Sequence, residues 1–123
     1  MRKKITTFQD IVAWQKAHEL TLYVYKISDN FPKSEEFGLK SQIRRAAVSI
    51  PSNIAEGFKR KSKPDSVHFY NIAEASLEEM KYQLLLSRDL KYISDGEYVI
   101  ATELADETGK ILFGWLKSQR IYI

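Results

Sequence analysis

Cysteine is absent from the 123 residues, which excludes a disulfide scaffold, a thiolate zinc site and thiol catalysis together. Proline occurs three times and glycine five, so long stretches run without a breaker or turn signal. The longest apolar runs are a few residues, as in Leu84-Leu85-Leu86, too short to span a membrane. No apolar stretch follows the basic start Met1-Arg2-Lys3-Lys4-Ile5, so a secretory signal is not expected and the reading is of a soluble, cytoplasmic chain with no membrane partner. Strand signals are missing too. There is no useful run of alternating polarity, and Asp95-Gly96 reads as part of a helix start rather than as a hairpin. The sequence holds no internal repeat and no low-complexity segment.

What is present is ordinary globular composition, 44% hydrophobic and 28% charged in 14.3 kDa, enough for one core and one domain. The net charge of +3 conceals a partition. Residues 31–63 carry eight Lys/Arg against three Asp/Glu, whereas residues 64–109 carry three against ten. Such a chain has a directional surface that can attract a polyanion or match a copy of itself, unless the two stretches pair within the fold.

Four helical patterns fit between the breakers. The first runs from about Asp10 to Asn30, with Ala13, Ala17, Leu20, Val24, Ile27 and Phe31 on one face and Trp14, Leu22, Tyr23 and Tyr25 widening it. It ends at Asn30-Phe31-Pro32, because the residue before a proline is pushed out of the α region. The second begins near Ser34, where Ser34-Glu35-Glu36 reads as a cap with two acids in the first turn. Leu39, Ile43, Ala46 or Ala47, Ile50, Ile54 and Phe58 mark its face, Pro51 predicts a kink, and Gly57 with the Lys59–Lys63 run ends it. The third starts at Ser62 with Pro64 in its first turn and continues through Phe69, Ala73, Ser76, Met80, Leu84 and Ser87 to about Lys91. The fourth opens on the capping box Ser94-Asp95-Gly96-Glu97, with Ile93 and Tyr98 as a staple, and carries Ala101, Leu104, Thr108, Ile111 and Trp115, broadened by Leu112 and Leu116. The expected fold is all-α, an antiparallel up-and-down four-helix bundle. Residues 1–9 form an N-terminal extension, 10–119 the single domain and 120–123 a short C-terminal tail.

Recognisable chemistry is sparse. A di-iron site in a bundle needs two Glu-x-x-His motifs and two further inward glutamates. The two histidines, His18 and His68, follow no glutamate at that spacing; Asp65-Ser66-Val67-His68 is the nearest approach. No metal and no cofactor is expected. Ser41, Ser49 and Ser52 lie in no G-x-S-x-G elbow, and there is no P-loop and no G-x-G-x-x-G. Ser49 and Ser52 suit backbone bonding beside Pro51. Glu78-Glu79 and Asp106-Glu107 are adjacent pairs that splay apart on a helix.

The basic residues carry more. Lys40 and Arg44 stand one helical turn apart with Arg45 beside them, a row that can engage successive phosphates. Lys59, Arg60, Lys61 and Lys63 add four charges at the end of the same segment. A solvated helix end explains the same run equally well. Tyr70, Tyr82, Tyr92, Tyr98 and Tyr122 could stack on bases, although bundle tyrosines commonly sit half-buried. Around Pro51, small and apolar residues go most of the way round the helix. Ala47, Val48, Ser52 and Ala55 are read as a second, close-approach face for another subunit, since a helix of a solitary bundle needs one face.

The stretch Ser41-Gln42-Ile43-Arg44-Arg45-Ala46-Ala47-Val48-Ser49-Ile50-Pro51-Ser52-Asn53-Ile54-Ala55-Glu56-Gly57 resembles the central motif of the bacterial four-helix-bundle family of 23S rRNA intervening-sequence proteins. Phe8-Gln9-Asp10 with Trp14-Gln15-Lys16-Ala17 matches the family's opening. Phe31-Pro32 followed by Glu35, Gly38 and Leu39 matches the start of the second helix, and Phe69 with Ala73 to Glu78 fits more loosely. The resemblance implies a ring-like homopentamer, no established catalysis, and similarity to retroelement accessory proteins that work with nucleic acid. Arg44 and Arg45 are the matching basic positions. The strongly basic tail of those accessory proteins is missing, the chain ending Gln119-Arg120-Ile121-Tyr122-Ile123. The sequence is therefore read as a non-enzymatic homo-oligomer binding RNA or DNA through Lys40, Arg44, Arg45 and Lys59–Lys63. A structural or adaptor protein docking a protein partner is the alternative. An enzyme using Glu56 or His68 at a subunit junction is the remote third.

Overall fold

The computed structural model describes residues 4–120; Met1–Lys3, Tyr122 and the rest of the tail beyond Arg120 lie outside the described residues. Four helices are present: α1 (Val12–Ser28), α2 (Leu39–Lys59), α3 (Lys63–Asp89) and α4 (Asp95–Arg120). Short 3-10 turns at Phe8–Asp10 and Lys33–Glu35 precede α1 and α2. Each helix packs on its neighbours, α4 also closes on α1, and α2 stands diagonally opposite α4. Cross-helix pairs run in opposite directions along the chain: Ser49 meets Ser76 while Gly57 meets Tyr70, and Gly109 lies beside Leu77 while Trp115 meets Tyr70. The bundle is therefore antiparallel and up-and-down, as expected from the short connections.

The α1 stripe is buried as expected, from Ala13 to Ile27, but Leu22 and Tyr25 turn outward instead of widening it. Ala73, Met80, Leu84 and Ser87 of α3 and Ala101 and Thr108 of α4 are buried as expected, but at the remaining positions the covered arc is offset. Tyr70 and Leu77 are buried where Phe69 and Ser76 are half-covered, and Leu112 and Leu116 are fully enclosed rather than flanking. Several helix ends differ as well. The first turn of the N-terminal extension is tied down: the Asp10 carboxylate accepts from the Thr6 and Thr7 amides at 2.9 and 3.0 Å. Ser34 caps nothing. Instead Glu35 Oε1 accepts the Leu39 amide at 2.9 Å, and α2 starts four residues later than the Ser-Glu-Glu pattern suggests. Tyr92 OH donates to the other Glu35 oxygen at 2.9 Å, which pins this turn to the α3–α4 connection. These two bonds, the amide first, hold the Glu35 carboxyl below its ordinary pKa. α3 ends at Asp89 rather than Lys91 because Lys91 adopts a left-handed conformation (φ 64°). The Tyr92 and Lys91 amides then bond back to the Ser87 and Arg88 carbonyls at 2.8 and 2.9 Å. A Ser62 cap and a Ser94 capping box start α3 and α4, with Ser62 Oγ taking the Asp65 amide and Ser94 and Glu97 bonding reciprocally.

Pro51 lies inside α2, and the helix is continuous through it. Lacking an N–H, Pro51 cannot serve the carbonyl of Ala47 four residues back. That buried carbonyl is met from outside the helix. The Thr21 hydroxyl of α1 stands 3.1 Å from it and 2.8 Å from the Ala17 carbonyl of its own helix, so one proton is shared between two acceptors. On the other side of α2, a Cβ at Gly57 would sit 2.6 Å from Tyr70 Cε1, which makes glycine the condition for the α2–α3 approach. Gly57 is thus a packing residue, two positions short of the helix end. Thr21→Val strips the Ala47 carbonyl of its donor and should lower stability by about 1–3 kcal/mol. In a Pro51→Ala background the new amide can serve that carbonyl, and the loss should shrink. Urea unfolding of the four proteins in this cycle measures the coupling; equal losses in both backgrounds would contradict it.

Candidate nucleic-acid interface

The two contacts just described fix the rotation of α2. One flank faces α1, the other faces α3, and a single row points away from the bundle. Reading by helical spacing and exposure, that row is Ser41, Arg45, Val48, Ser52, Glu56 and Lys59, with the Glu56 carboxylate paired to Arg60.

The residues expected to bind phosphate do not all lie on this row. Arg44 is committed to α1. Its Nε donates to Ser28 Oγ at 2.8 Å, and its Nη2 to the Tyr25 carbonyl at 3.1 Å and to Asp29 Oδ1 at 2.8 Å. The guanidinium carbon lies 4.5 Å from the Tyr25 ring centroid. Arg44 therefore ties down the last turn of α1, where carbonyls lack helical partners and a cation is favoured by the helix dipole. Lys40 pairs with Glu36 at 3.0 Å with its side chain only 17% exposed. Arg60 pairs with Glu56 and lies over the Phe69 ring at 4.3 Å. Arg45, Lys59 and Lys61 are exposed and have no carboxylate within ion-pair distance among the described residues. Lys63 is exposed at the first position of α3.

The small residues were expected to form a second face, and the protomer absorbs much of it. Ala47 is 0% exposed, its carbonyl engaged by Thr21, so it is core and not available to another subunit. The physical reason is that α2 packs against both α1 and α3, so a wide small-residue arc is needed within one protomer. Ser49 bonds Ser76 across the α2–α3 contact at 2.8 Å. Ala55 is half-buried, lining a cavity with Thr6, Thr7 and Phe8 of the chain's own N-terminal segment. Val48 and Ser52 remain on the outward row, between Arg45 and Lys59.

Other expected chemistry does not converge. Among the described residues no three His, Cys, Asp or Glu side chains group to hold a metal ion. His18 stacks on Trp14 at 5.0 Å, His68 meets the edge of Phe69, and both are exposed. The cavity that Glu56 helps line contains no histidine. Tyr70 is buried, and that burial raises its phenol pKa. Tyr98 lies under the Arg88 guanidinium, while Tyr82 is exposed. No helix of the described residues is long and apolar enough to cross a membrane.

Two site residues lie off the buried helical faces. Phe37 precedes α2 and is 95% exposed, and Tyr25 is 40% exposed on α1; both line a groove beside Arg44, Arg45 and Val48. The available signal was Phe37's place in the expected first turn after Ser34 but off the apolar face that Leu39 and Ile43 mark.

The neighbours Arg44 and Arg45 are predicted to separate by function. Arg44→Ala should cost about 1–3 kcal/mol of stability, having lost charged hydrogen bonds and a cation–π contact. Arg45→Ala should stay within about 0.5 kcal/mol of the parent. Urea midpoints of the two variants test this, and equal midpoints would contradict it.

Comparison with known proteins places this geometry. The model of the 23S rRNA-intervening sequence protein family matches residues 9–114. A solved structure of a protein of unknown function from the S23 ribosomal protein family of Bacteroides thetaiotaomicron is similar, with a TM-score of 0.76 and 29% identity. The match covers 85% of this chain and 98% of that one. No curated protein matches the chain. With the match spanning nearly all of the bundle, including the stretch from Ser41 to Gly57, the chain belongs to the 23S rRNA-intervening sequence protein family.

Proposed function

We propose that this protein is a non-enzymatic helical bundle that binds nucleic acid, RNA in the first instance, through the outward row of α2 and the connection after it. The observation that carries the reading is the electrostatic sorting of the basic residues. Where Arg44, Lys40 and Arg60 are paired within the protomer, Arg45, Lys59 and Lys61 are exposed without a carboxylate partner. Unpaired surface cations are those whose counterions a polyanion can displace, and contacts of this kind bind with little sequence preference.

Association of copies, as a ring of five in the form the family resemblance implies, multiplies the row without new contacts per subunit. The exposed apolar residues Val99, Ile100 and Phe113 belong to α4, diagonally across the bundle from α2. Assembly through α4 keeps the cations outward. A second reading, a structural or adaptor role, has its own support: Val48 and Ser52 share the row with Arg45 and Lys59. A protein partner or a second copy seated there would take the basic residues as contacts.

Reversing Arg45, Lys59 and Lys61 to Glu together, with Arg44 left in place, separates the two. The expected result is an unchanged solution mass and loss of binding to a structured RNA. Single reversals should each flatten the log–log salt dependence by about 0.7–0.9. A changed mass with the triple variant would favour the adaptor reading. Absence of any RNA binding by the parent protein at low salt would remove the proposal.

A further inference from the structure

Phe37 is the least protected large apolar side chain among the described residues, 95% exposed on the turn that leads into α2. Burial in the protomer gives no account of a phenylalanine there. Its surroundings are chemically mixed. The groove it lines, about 520 Å³, is bounded by Tyr25, Lys40, Arg44, Arg45 and Val48, and by Glu36. Three cations and one carboxylate line it beside two aromatic rings. With Lys40 paired to Glu36 and Arg44 to Asp29, Arg45 is the lining cation left without an ion-pair partner among the described residues. One of those rings already carries a guanidinium, that of Arg44 at 4.5 Å from the Tyr25 centroid.

We infer that this groove is a base-stacking site for single-stranded nucleic acid, in which Phe37 stacks on an unpaired base and Arg45 meets the adjoining phosphate. The inference rests on the nucleic-acid reading above and narrows it from any polyanion to an unpaired strand. Two considerations favour a strand over a second copy of the chain. Sequence-tolerant strand binding combines a basic track with exposed aromatic rings, the combination present here. The track is also continuous with the outward row of α2. Arg45 and Lys59 lie on one helix about 21 Å apart by helical rise, a span suited to a short strand of at least about 4 nucleotides. Duplex nucleic acid offers no free base face to Phe37, so the ring should contribute nothing to duplex binding.

Because Phe37 is almost wholly exposed, its replacement leaves the core intact and the test is free of folding effects. The probes are fluorescein-labelled oligo(U) and oligo(dT) strands of about 12 nucleotides, within the site sizes of such proteins, and a duplex of the same length. Phe37→Ala should weaken single-strand binding roughly 5- to 100-fold, with the salt dependence and duplex binding unchanged. Phe37→Trp should restore the affinity, and the added indole emission should be quenched on strand addition. Unaltered single-strand affinity in Phe37→Ala would overturn the stacking site while leaving salt-sensitive binding through Arg45, Lys59 and Lys61 in place. Failure of the parent protein to bind any probe at low salt would overturn both readings. A lower solution mass for Phe37→Ala would overturn the inference differently, by making Phe37 a contact between copies.

Discussion

An interior proline and the hydroxyl that compensates for it set the position of α2. Pro51 frees the Ala47 carbonyl inside the core, and Thr21 of α1 supplies the missing donor. A buried carbonyl with no partner is costly, so α2 can rotate only within the reach of that hydroxyl. Arg44 strengthens the same side by holding Ser28, Asp29 and the Tyr25 carbonyl. On the opposite flank, Gly57 admits the Tyr70 ring and Ser49 bonds Ser76. Held on both sides, α2 has one row left to present to solvent.

That constraint sorts the basic residues. Adjacent positions on a helix are turned about 100° apart, so Arg44 and Arg45 meet different surroundings. Arg44 reaches the end of α1 and becomes part of the fold; Arg45 points away with Ser41, Val48, Ser52, Glu56 and Lys59. The same constraint explains the breadth of small residues around Pro51. α2 touches α1 and α3 together, so Ala46, Ala47 and Ser49 are consumed within one protomer and only Val48 and Ser52 remain outward. A wide small-residue arc on a helix therefore signals two neighbouring helices before it signals a second subunit.

The architecture was legible in the sequence because its determinants are local. The α1 stripe, the Ser62 and Ser94 caps and the short connections all act within a few residues. The start of α2 was not, since Ser34 looks like a cap, whereas the side chain that serves Leu39 is Glu35, held by Tyr92 from 57 residues away. Parts of the α3 and α4 faces were offset for a related reason: periodicity fixes a stripe's spacing, but which flank of the stripe is inward depends on the opposing helix. The candidate site was legible by residue type and in part by spacing. The pairs Glu36–Lys40 and Glu56–Arg60 stand at the i,i+4 spacing that favours them. That Arg44 finds Asp29 at the end of α1, while Arg45 beside it finds no carboxylate among the described residues, depends on how α2 is rotated. Phe37 was passed over because the expected helix start at Ser34 placed it in a first turn, off the apolar face, whereas it stands on the turn before α2.

The account stands on the outward row of α2 being a free surface that a nucleic-acid strand covers. Since the chain has no cysteine, single thiols placed by Ser41→Cys, Val48→Cys and Ser52→Cys can be followed by their labelling rates alone, with Thr21→Cys as a buried reference. In the free protein the three outward thiols should label rapidly at every protein concentration while the reference stays slow, and adding oligo(U) should protect the outward three. Outward thiols that are protected before any strand is added, increasingly so as protein concentration rises, would contradict the account and make the row a contact between copies.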